Sequence, residues 1–332
     1  MSHFFRKPAG RHLILMPGTP QKLLLAQPTA ADLHQRFPQK PLDAMVPARL
    51  SGLASRFPQL AGLYNLPEST MSWKTFWRAG MEMQGKDHAH AWVLPDRFKP
   101  ALIPMLANIG ERTGYRGRYR YSLLIDIRLP NPRKHPHPID RYRALAWDIV
   151  DDLPPVTPLK LTSTQAQQTQ VAEKFELPDE RPLLLVCPGS LQVTGSAQKL
   201  QLDASAWQAG LERWIEQGWR PLVLASHHEK LEINTLLRGL APERQAQVIN
   251  LAGQITWEEA VDLAHLAQAA VALDNALALI ALGAGLTVHL PVASRDAAQA
   301  VPWLSIPLGA QLCDWSGLDQ KLDAALQLSH RS

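Results

Sequence analysis

Short apolar runs recur through the second half of the chain, and each is followed by small or polar residues and then by a helical pattern. The clearest run, Leu183–Cys187, is typical of a parallel strand buried on both faces. Pro188, Gly189 and Ser190 end this run, and Ala204–Gln217 then reads as an amphipathic helix. A buried strand, a loop of small residues and a helix form the repeating unit of a doubly wound α/β sheet, whose ligands bind outside the carboxyl ends of the strands.

The same alternation extends over most of the chain. In the second half we predict further strands at 221–225, 247–251, 270–273 and 287–290 and helices ending near 240, 268, 282 and 328. In the first half we predict strands at 11–16, 42–46, 60–67 and 89–94 and helices at 21–36, 47–57, 73–83 and 100–109. The Pro-rich segment 156–160 is the best candidate for a linker. We therefore predict two α/β domains, residues 1–155 and 156–332, with a cleft between them.

Composition narrows the class of protein. The chain has 332 residues, 46% of them hydrophobic and 19% charged, which is typical of a globular protein of two domains. Two cysteines cannot form a disulfide framework and fit a reducing cytoplasm; Cys187 reads as core filler, with a reactive thiol as the alternative. No Cys or His cluster predicts structural zinc, and no apolar run is long enough for a membrane span. We expect a cytoplasmic protein whose membrane contact, if any, is peripheral.

Positive charge is concentrated in one segment. Residues 91–143 contain eleven Lys and Arg against four Asp and Glu, whereas the net charge of the whole chain is only +4. This segment indicates an anionic partner, and the alternative is a solvated positive face. Nucleic acid does not fit well, because the charge is local and no aromatic residues are interleaved with it in a binding motif.

Several segments resemble a known family. Val93–Arg128, and above all the run R-T-G-Y-R-G at Arg112–Gly117, is similar to the bacterial ADP-heptose:lipopolysaccharide heptosyltransferases of glycosyltransferase family 9, especially those of the heptosyltransferase II type. Cys187–Ser190, Asn250–Gly253 and Leu273–Gly285 resemble the nucleotide-sugar half of that family. The resemblance implies a GT-B fold, in which two Rossmann-like domains face each other across a cleft. It also implies inverting transfer of heptose, or a related sugar, from an ADP-sugar to the anionic inner core of lipopolysaccharide. It implies no metal and no other cofactor.

The resemblance also assigns residues to roles. The acceptor would meet basic residues of the first half: Arg97, Lys99, Arg112, Arg116, Arg118 and Arg120. The donor would meet loops of the second half: Pro188, Gly189, Ser190, Lys199, Glu229, Asp274, Asn275 and Ala276. Each donor residue also has an ordinary structural reading, with Lys199 as a surface lysine, Glu229 as a solvated loop acid and Asp274 as a helix cap.

Three positions depart from the family pattern. Gln21-Lys22 stands where the family has a Gly-Asp pair whose Asp is the expected catalytic base, so Lys22 occupies the base position although a protonated lysine cannot accept a proton. Ala276 replaces a glycine, and Leu279 replaces a histidine in the following helix. Three other residues could substitute as the base, namely His12, Asp32 and Asp96.

These departures leave two functional hypotheses open. The first is an active heptosyltransferase that uses an ADP-sugar. The second is a catalytically inactive paralogue that retains acceptor binding and acts as a binding or assembly partner in lipopolysaccharide biosynthesis. The basic segment supports both hypotheses, whereas the altered loop and helix favour the second.

Overall fold

A computed structural model describes residues 10–66, 72–148, 153–177, 181–190, 202–292 and 305–329. Lys199, one of the predicted donor residues, lies outside these ranges. The chain divides into two compact units, Met1–Thr157 and Pro158–Ser332, which we call the first unit and the second unit. In the described residues no helix is long and apolar enough to cross a membrane.

The first unit is built on a parallel sheet. Its described strands are β1 (Arg11–Leu15), β2 (Leu42–Pro47), β3 (Gly62–Leu66), β4 (His88–Val93), β5 (Glu111–Tyr115) and β6 (Asp126–Arg128). Its helices are α1 (Pro20–Arg36), α2 (Ser51–Ala54), α3 (Trp73–Glu82), α4 (Phe98–Leu106) and α5 (Pro138–Arg143). The strands are arranged in the order β3-β2-β1-β4-β5-β6, which is the order of a doubly wound dinucleotide-binding sheet.

The second unit repeats this architecture. Its described strands are β7 (Leu183–Cys187), β8 (Arg220–Val223), β9 (Ile249–Asn250), β10 (Ala269–Ala272), β11 (Thr287–Val292) and β12 (Gln311–Asp314). Its helices are α6 (Gln165–Lys174), α7 (Ala204–Glu216), α8 (Lys230–Arg238), α9 (Pro242–Gln245), α10 (Trp257–Leu266), α11 (Ala276–Gly283) and α12 (Leu318–Ser329). The order β12-β11-β10-β7-β8-β9 is again that of a Rossmann domain.

Apolar strands explain why the sheets form where the sequence predicts them. All five residues of β7 are buried, and β7 pairs in parallel with β8 on one side and β10 on the other. α7 covers one face with Trp207, Leu211 and Trp214, and the side chain of Asp203 caps its first turn by accepting the N–H of Ala206 at 2.8 Å. A strand buried on both faces must be apolar throughout, which is why the sequence predicts β7 correctly.

Several elements differ from the prediction. β5, β6 and β12 were not predicted, because the sequences ERTGY, DIR and QLCD contain few apolar residues and lie toward or at the outer side of a sheet. Residues 47–57, predicted as one helix, form a 3₁₀ turn at Ala48–Leu50 followed by the short α2. The helices α5, α6 and α9 were also missed.

Candidate functional site

The strand order of each unit reverses once, and ligands of doubly wound sheets bind at that point. In the first unit the reversal lies between β1 and β4, and in the second unit it lies between β7 and β10. The candidate site residues of the second unit follow the ends of β7 and β10, so the topology brings them to one edge of the sheet.

The loop after β7 lies directly against the loop after β10. Pro188 and Gly189 are buried, and Gly189 has φ +68°, a conformation that favours glycine. A Cβ at Gly189 would lie 3.3 Å from Nδ2 of Asn275 and 3.3 Å from Cδ1 of Leu273. Ser190 donates its hydroxyl to Oε2 of Glu232 at 3.2 Å. The structure therefore brings Pro188, Gly189 and Ser190 together with Asn275, as the donor hypothesis requires.

Helix α11 begins at this edge. The Oδ1 atom of Asn275 accepts the N–H groups of Leu277 at 2.9 Å and Ala278 at 3.1 Å, so Asn275 is the cap of the helix. The sequence had suggested Asp274 as the cap. Instead, Oδ1 of Asp274 accepts both the backbone N–H of Ser305 at 3.0 Å and its hydroxyl at 2.5 Å. Asp274 and Asn275 thus order the start of α11.

Glu229 follows β8 at the same edge. Its Oε2 atom accepts the N–H of Ser226 at 2.7 Å, which completes a capping box for the short turn that precedes α8. Burial raises the pKa of the Cys187 thiol, and the negative charge of the half-buried Glu229 adds to this shift. Glu229 is therefore close to the end of β7, and one of its oxygens is already used within the protein. The raised pKa also fits Cys187 as a core residue.

Leu279, at the position of the family histidine, is fully buried in α11 and packs inside the unit. The next histidine, His289, lies within β11 and is also buried, which lowers its pKa to about 4. Neither side chain is available to a phosphate at the start of α11. The loop after β7 thus lies beside the start of α11, and α11 itself contains no histidine.

In the first unit, the loop after β1 leads into α1. Thr19 caps the helix by accepting the N–H of Lys22 at 3.4 Å, and the first turn contains no acidic residue. The side chain of Lys22 is exposed. Arg49, in the turn after β2, donates to the carbonyl oxygen of Gly18 and so ties two loops of this edge together.

The three alternative bases lie in different surroundings. His12 is near the amino end of β1, where burial lowers its pKa to about 4. Asp32 is buried in α1 and forms an ion pair with Arg143. Asp96 is exposed and lies just beyond β4, and the N–H of Leu94 donates to the carbonyl oxygen of Leu15 at the end of β1. Of these three residues, Asp96 is the one at the edge where ligands bind.

Two of the six predicted acceptor residues, Arg112 and Arg120, donate hydrogen bonds to backbone carbonyl oxygens of their own unit. Arg112, in β5, donates Nε to the carbonyl oxygen of Leu123 at 2.8 Å and Nη1 to that of Ile109. Arg120 is fully buried and donates Nη1 to the carbonyl oxygen of Tyr115 at 2.8 Å. Burial lowers the pKa of Arg120 to about 10, partly opposed by the charge of Asp96. These side chains hold the β5–β6 connection in place.

The two glycines of the R-T-G-Y-R-G run make room for this buried arginine. A Cβ at Gly114 would lie 3.2 Å from Nη2 of Arg120, and one at Gly117 would lie 2.7 Å from its Cδ and 2.5 Å from the carbonyl oxygen of Asp96. The run therefore fixes a loop against the end of β4. Arg116 and Arg118 of this loop are exposed, as is Arg97, whereas Lys99 is half-buried.

A family model for glycosyltransferase family 9 (heptosyltransferase) matches residues 76–285. The chain belongs to glycosyltransferase family 9. It is 33% identical to lipopolysaccharide heptosyltransferase 2 of Salmonella typhimurium over 277 residues, which are 81% of this chain and 78% of that protein. The corresponding Escherichia coli protein is 31% identical over the same shares of both chains. This membership makes the chain an enzyme of the heptosyltransferase class and confirms the resemblance carried by its motifs.

Solved structures of family 9 share the fold. The structure of E. coli ADP-heptose lipopolysaccharide heptosyltransferase II superposes with a TM-score of 0.83 at 26% identity and covers 96% of this chain and 99% of its own. An E. coli heptosyltransferase with ADP superposes with a TM-score of 0.67 at 14% identity, which shows the fold alone. The predicted GT-B fold of two Rossmann-like domains is thereby confirmed.

Proposed function

We propose that this protein is an inverting glycosyltransferase that moves heptose from ADP-heptose to the inner core of lipopolysaccharide. The observation that carries the proposal is the similarity to heptosyltransferase 2 proteins along four fifths of the chain. The second unit would bind the ADP-sugar and the first unit the acceptor, in accordance with the sequence assignment.

The donor diphosphate would lie beside the loop at Gly189 and the start of α11. A glycine there allows close approach of a phosphate to the backbone, and the positive end of α11 favours an anion. Both effects stabilise ADP as negative charge develops on the leaving phosphate. No metal is required for this task, so transfer should continue in the presence of EDTA.

The acceptor hydroxyl needs a base. In a single displacement, its oxygen forms a bond to C1 of heptose, the bond from C1 to the phosphate oxygen breaks, and the proton passes to the base. Lys22 stands at the family's base position but does not offer a carboxylate. We assign the proton acceptor to Asp96, since it is exposed beyond β4, next to the end of β1. Arg97, Arg116 and Arg118 would bind the anionic groups of the acceptor.

The decisive experiment incubates the purified protein with ADP-heptose and a phosphorylated inner-core acceptor. Release of ADP, together with an acceptor mass increase of one heptose, is the expected result. Asp96→Asn should lower kcat at least about a hundredfold, whereas Lys22→Ala should change it little. If Lys22→Ala abolishes transfer and Asp96→Asn does not, the base is wrongly assigned.

Binding and turnover can be separated. Calorimetry with ADP should show saturable binding, and Arg116→Ala/Arg118→Ala should weaken acceptor binding in a salt-dependent way. ADP binding without transfer to any inner-core acceptor would favour the inactive paralogue. Lys22→Asp then becomes informative, because restored transfer would show that the first loop had lost its base.

A further inference from the structure

Helix α3 of the first unit exposes three large apolar side chains in a row. Trp73 and Trp77 are each 48% exposed and Met81 is 43% exposed, at spacings of four residues. On a helix of 3.6 residues per turn, these positions fall within an arc of about 80° and extend over about 12 Å of its length. We call these three residues the α3 stripe.

Among the described residues, four other tryptophans are fully buried, in contrast to the two in the α3 stripe. Trp92, Trp207, Trp214 and Trp219 are at most 2% exposed. The opposite side of α3 supplies Phe76 and other residues to the core, so the helix is already anchored without its tryptophans. Exposed apolar side chains in a contiguous row indicate a surface that binds something.

Basic residues border the α3 stripe on one side. Lys74 and Arg78 are exposed and follow Trp73 and Trp77 by one residue each, which places them on the neighbouring arc of the helix. Protein–protein interface cores are depleted in lysine, whereas helices that lie on anionic bilayers combine tryptophan on one face with Lys and Arg beside it. The charge pattern therefore favours a lipid surface over a protein partner.

The stripe continues into the basic loop described above. The ring of Trp73 stacks on that of Phe98, with centroids 6.1 Å apart and planes inclined by 21°. Phe98 begins α4 two residues after Asp96, and the loop at Gly117 lies against the Asp96 carbonyl oxygen. That loop exposes two tyrosines and two arginines in cation–π contact: Arg116 with Tyr121 and Arg118 with Tyr119.

We propose that the α3 stripe and the adjoining basic loop dock the first unit on an anionic bilayer surface. Tryptophan and tyrosine would enter the headgroup region, and Lys74 and Arg78 would contact lipid phosphates. The docking goes beyond the transfer reaction and does not depend on it. It would also bring the edge that carries Asp96 close to the lipid headgroups.

Vesicle flotation without donor or acceptor tests this proposal. The full chain should float with vesicles of phosphatidylcholine and phosphatidylglycerol, and should bind far less to phosphatidylcholine alone or at high salt. Lys74→Gln/Arg78→Gln should weaken binding about thirtyfold, since each basic side chain near such a surface contributes about fivefold. Trp77→Ser should weaken vesicle binding about tenfold, because roughly half of a large apolar side chain would no longer be transferred from water into the lipid.

Helix α8 offers a matched control. Leu231 is 74% exposed and Arg238 is exposed on the same helix, so Leu231→Ser/Arg238→Gln removes similar groups from another surface and should leave vesicle binding unchanged. Unchanged binding of the α3 variants, or no binding of the wild type, would overturn the proposal. Light scattering supplies a further check. If the wild type forms a dimer and Trp77→Ser does not, a second copy of the chain covers the α3 stripe and the proposal is overturned. If Trp77→Ser does not fold, Lys74→Gln/Arg78→Gln and the salt dependence of wild-type binding still test the proposal.

Discussion

A buried ion pair joins α1 to α5, and its disruption gives a sharp prediction. The side chains of Asp32 and Arg143 are each 1% exposed, with Nε 2.8 Å from Oδ2 and Nη2 3.3 Å from Oδ1. Trp147 donates Nε1 to the same carboxylate at 3.1 Å, and Arg143 also donates to the carbonyl oxygen of Pro155 at 3.2 Å. The pair thus fixes α5 and the chain that follows it onto α1.

Arg143→Met should lower the free energy of unfolding of the first unit by about 3–5 kcal/mol, because a buried carboxylate would keep only the indole N–H as a partner. For a unit of this size, that loss corresponds to a decrease in Tm of about 6–20 °C. Asp32→Leu/Arg143→Met should be more stable than Arg143→Met, since no unpaired charge remains buried. Calorimetry and circular dichroism, which resolve the transition of the first unit, measure these values.

A more exposed ion pair at the end of α1 supplies the control. Arg36 pairs with Asp148, whose side chain is 76% exposed, so Asp148→Asn should cost less than about 1 kcal/mol. Asp32→Asn should reduce stability while the transfer rate per folded molecule stays at the wild-type value. A variant with normal stability and lost transfer would refute the argument, because it would show that Asp32 acts in catalysis.

Three further predictions concern two histidines of the first unit, His12 in β1 and His90 in β4, and two glycines. His12 and His90 have pKa values lowered to about 4 by burial, so the native state binds fewer protons than the unfolded state below pH 6.5. The free energy of unfolding of the first unit, from urea titrations, should fall by about 1.4 kcal/mol per pH unit per histidine from pH 6.5 to 4, and a constant value would contradict this. Gly117→Ala should cost about 1–3 kcal/mol and raise KM for the acceptor, because the new Cβ would lie 2.5 Å from a carbonyl oxygen; an unchanged Tm would show that the loop can shift. Gly189→Ala should weaken ADP binding in calorimetry, since the φ of +68° disfavours a side chain and a Cβ there would lie only 3.3 Å from Nδ2 of Asn275. Wild-type affinity would argue against this loop as the diphosphate site.

The apolar runs of the sequence predict most of the strands. β7 lies at Leu183–Cys187, where the sequence predicts it, because a parallel strand covered on both faces must be apolar at every position. The same reasoning missed β5 and β6, whose polar residues pair with a neighbouring strand but carry no alternating or continuous apolar signal. Hydrogen-bonded pairing with an existing sheet, rather than the local pattern, decides such strands.

The candidate site, too, is predicted only in part by the sequence. The sequence by itself determined the family motifs, the small residues after β7 and the concentration of Arg and Lys in residues 91–143. Only the tertiary structure decided that Arg120 is buried behind Gly114 and Gly117 while Arg116 and Arg118 are exposed. A charged residue in a sequence does not reveal whether its partner is solvent or a carbonyl oxygen, because that depends on how its loop packs against the sheet.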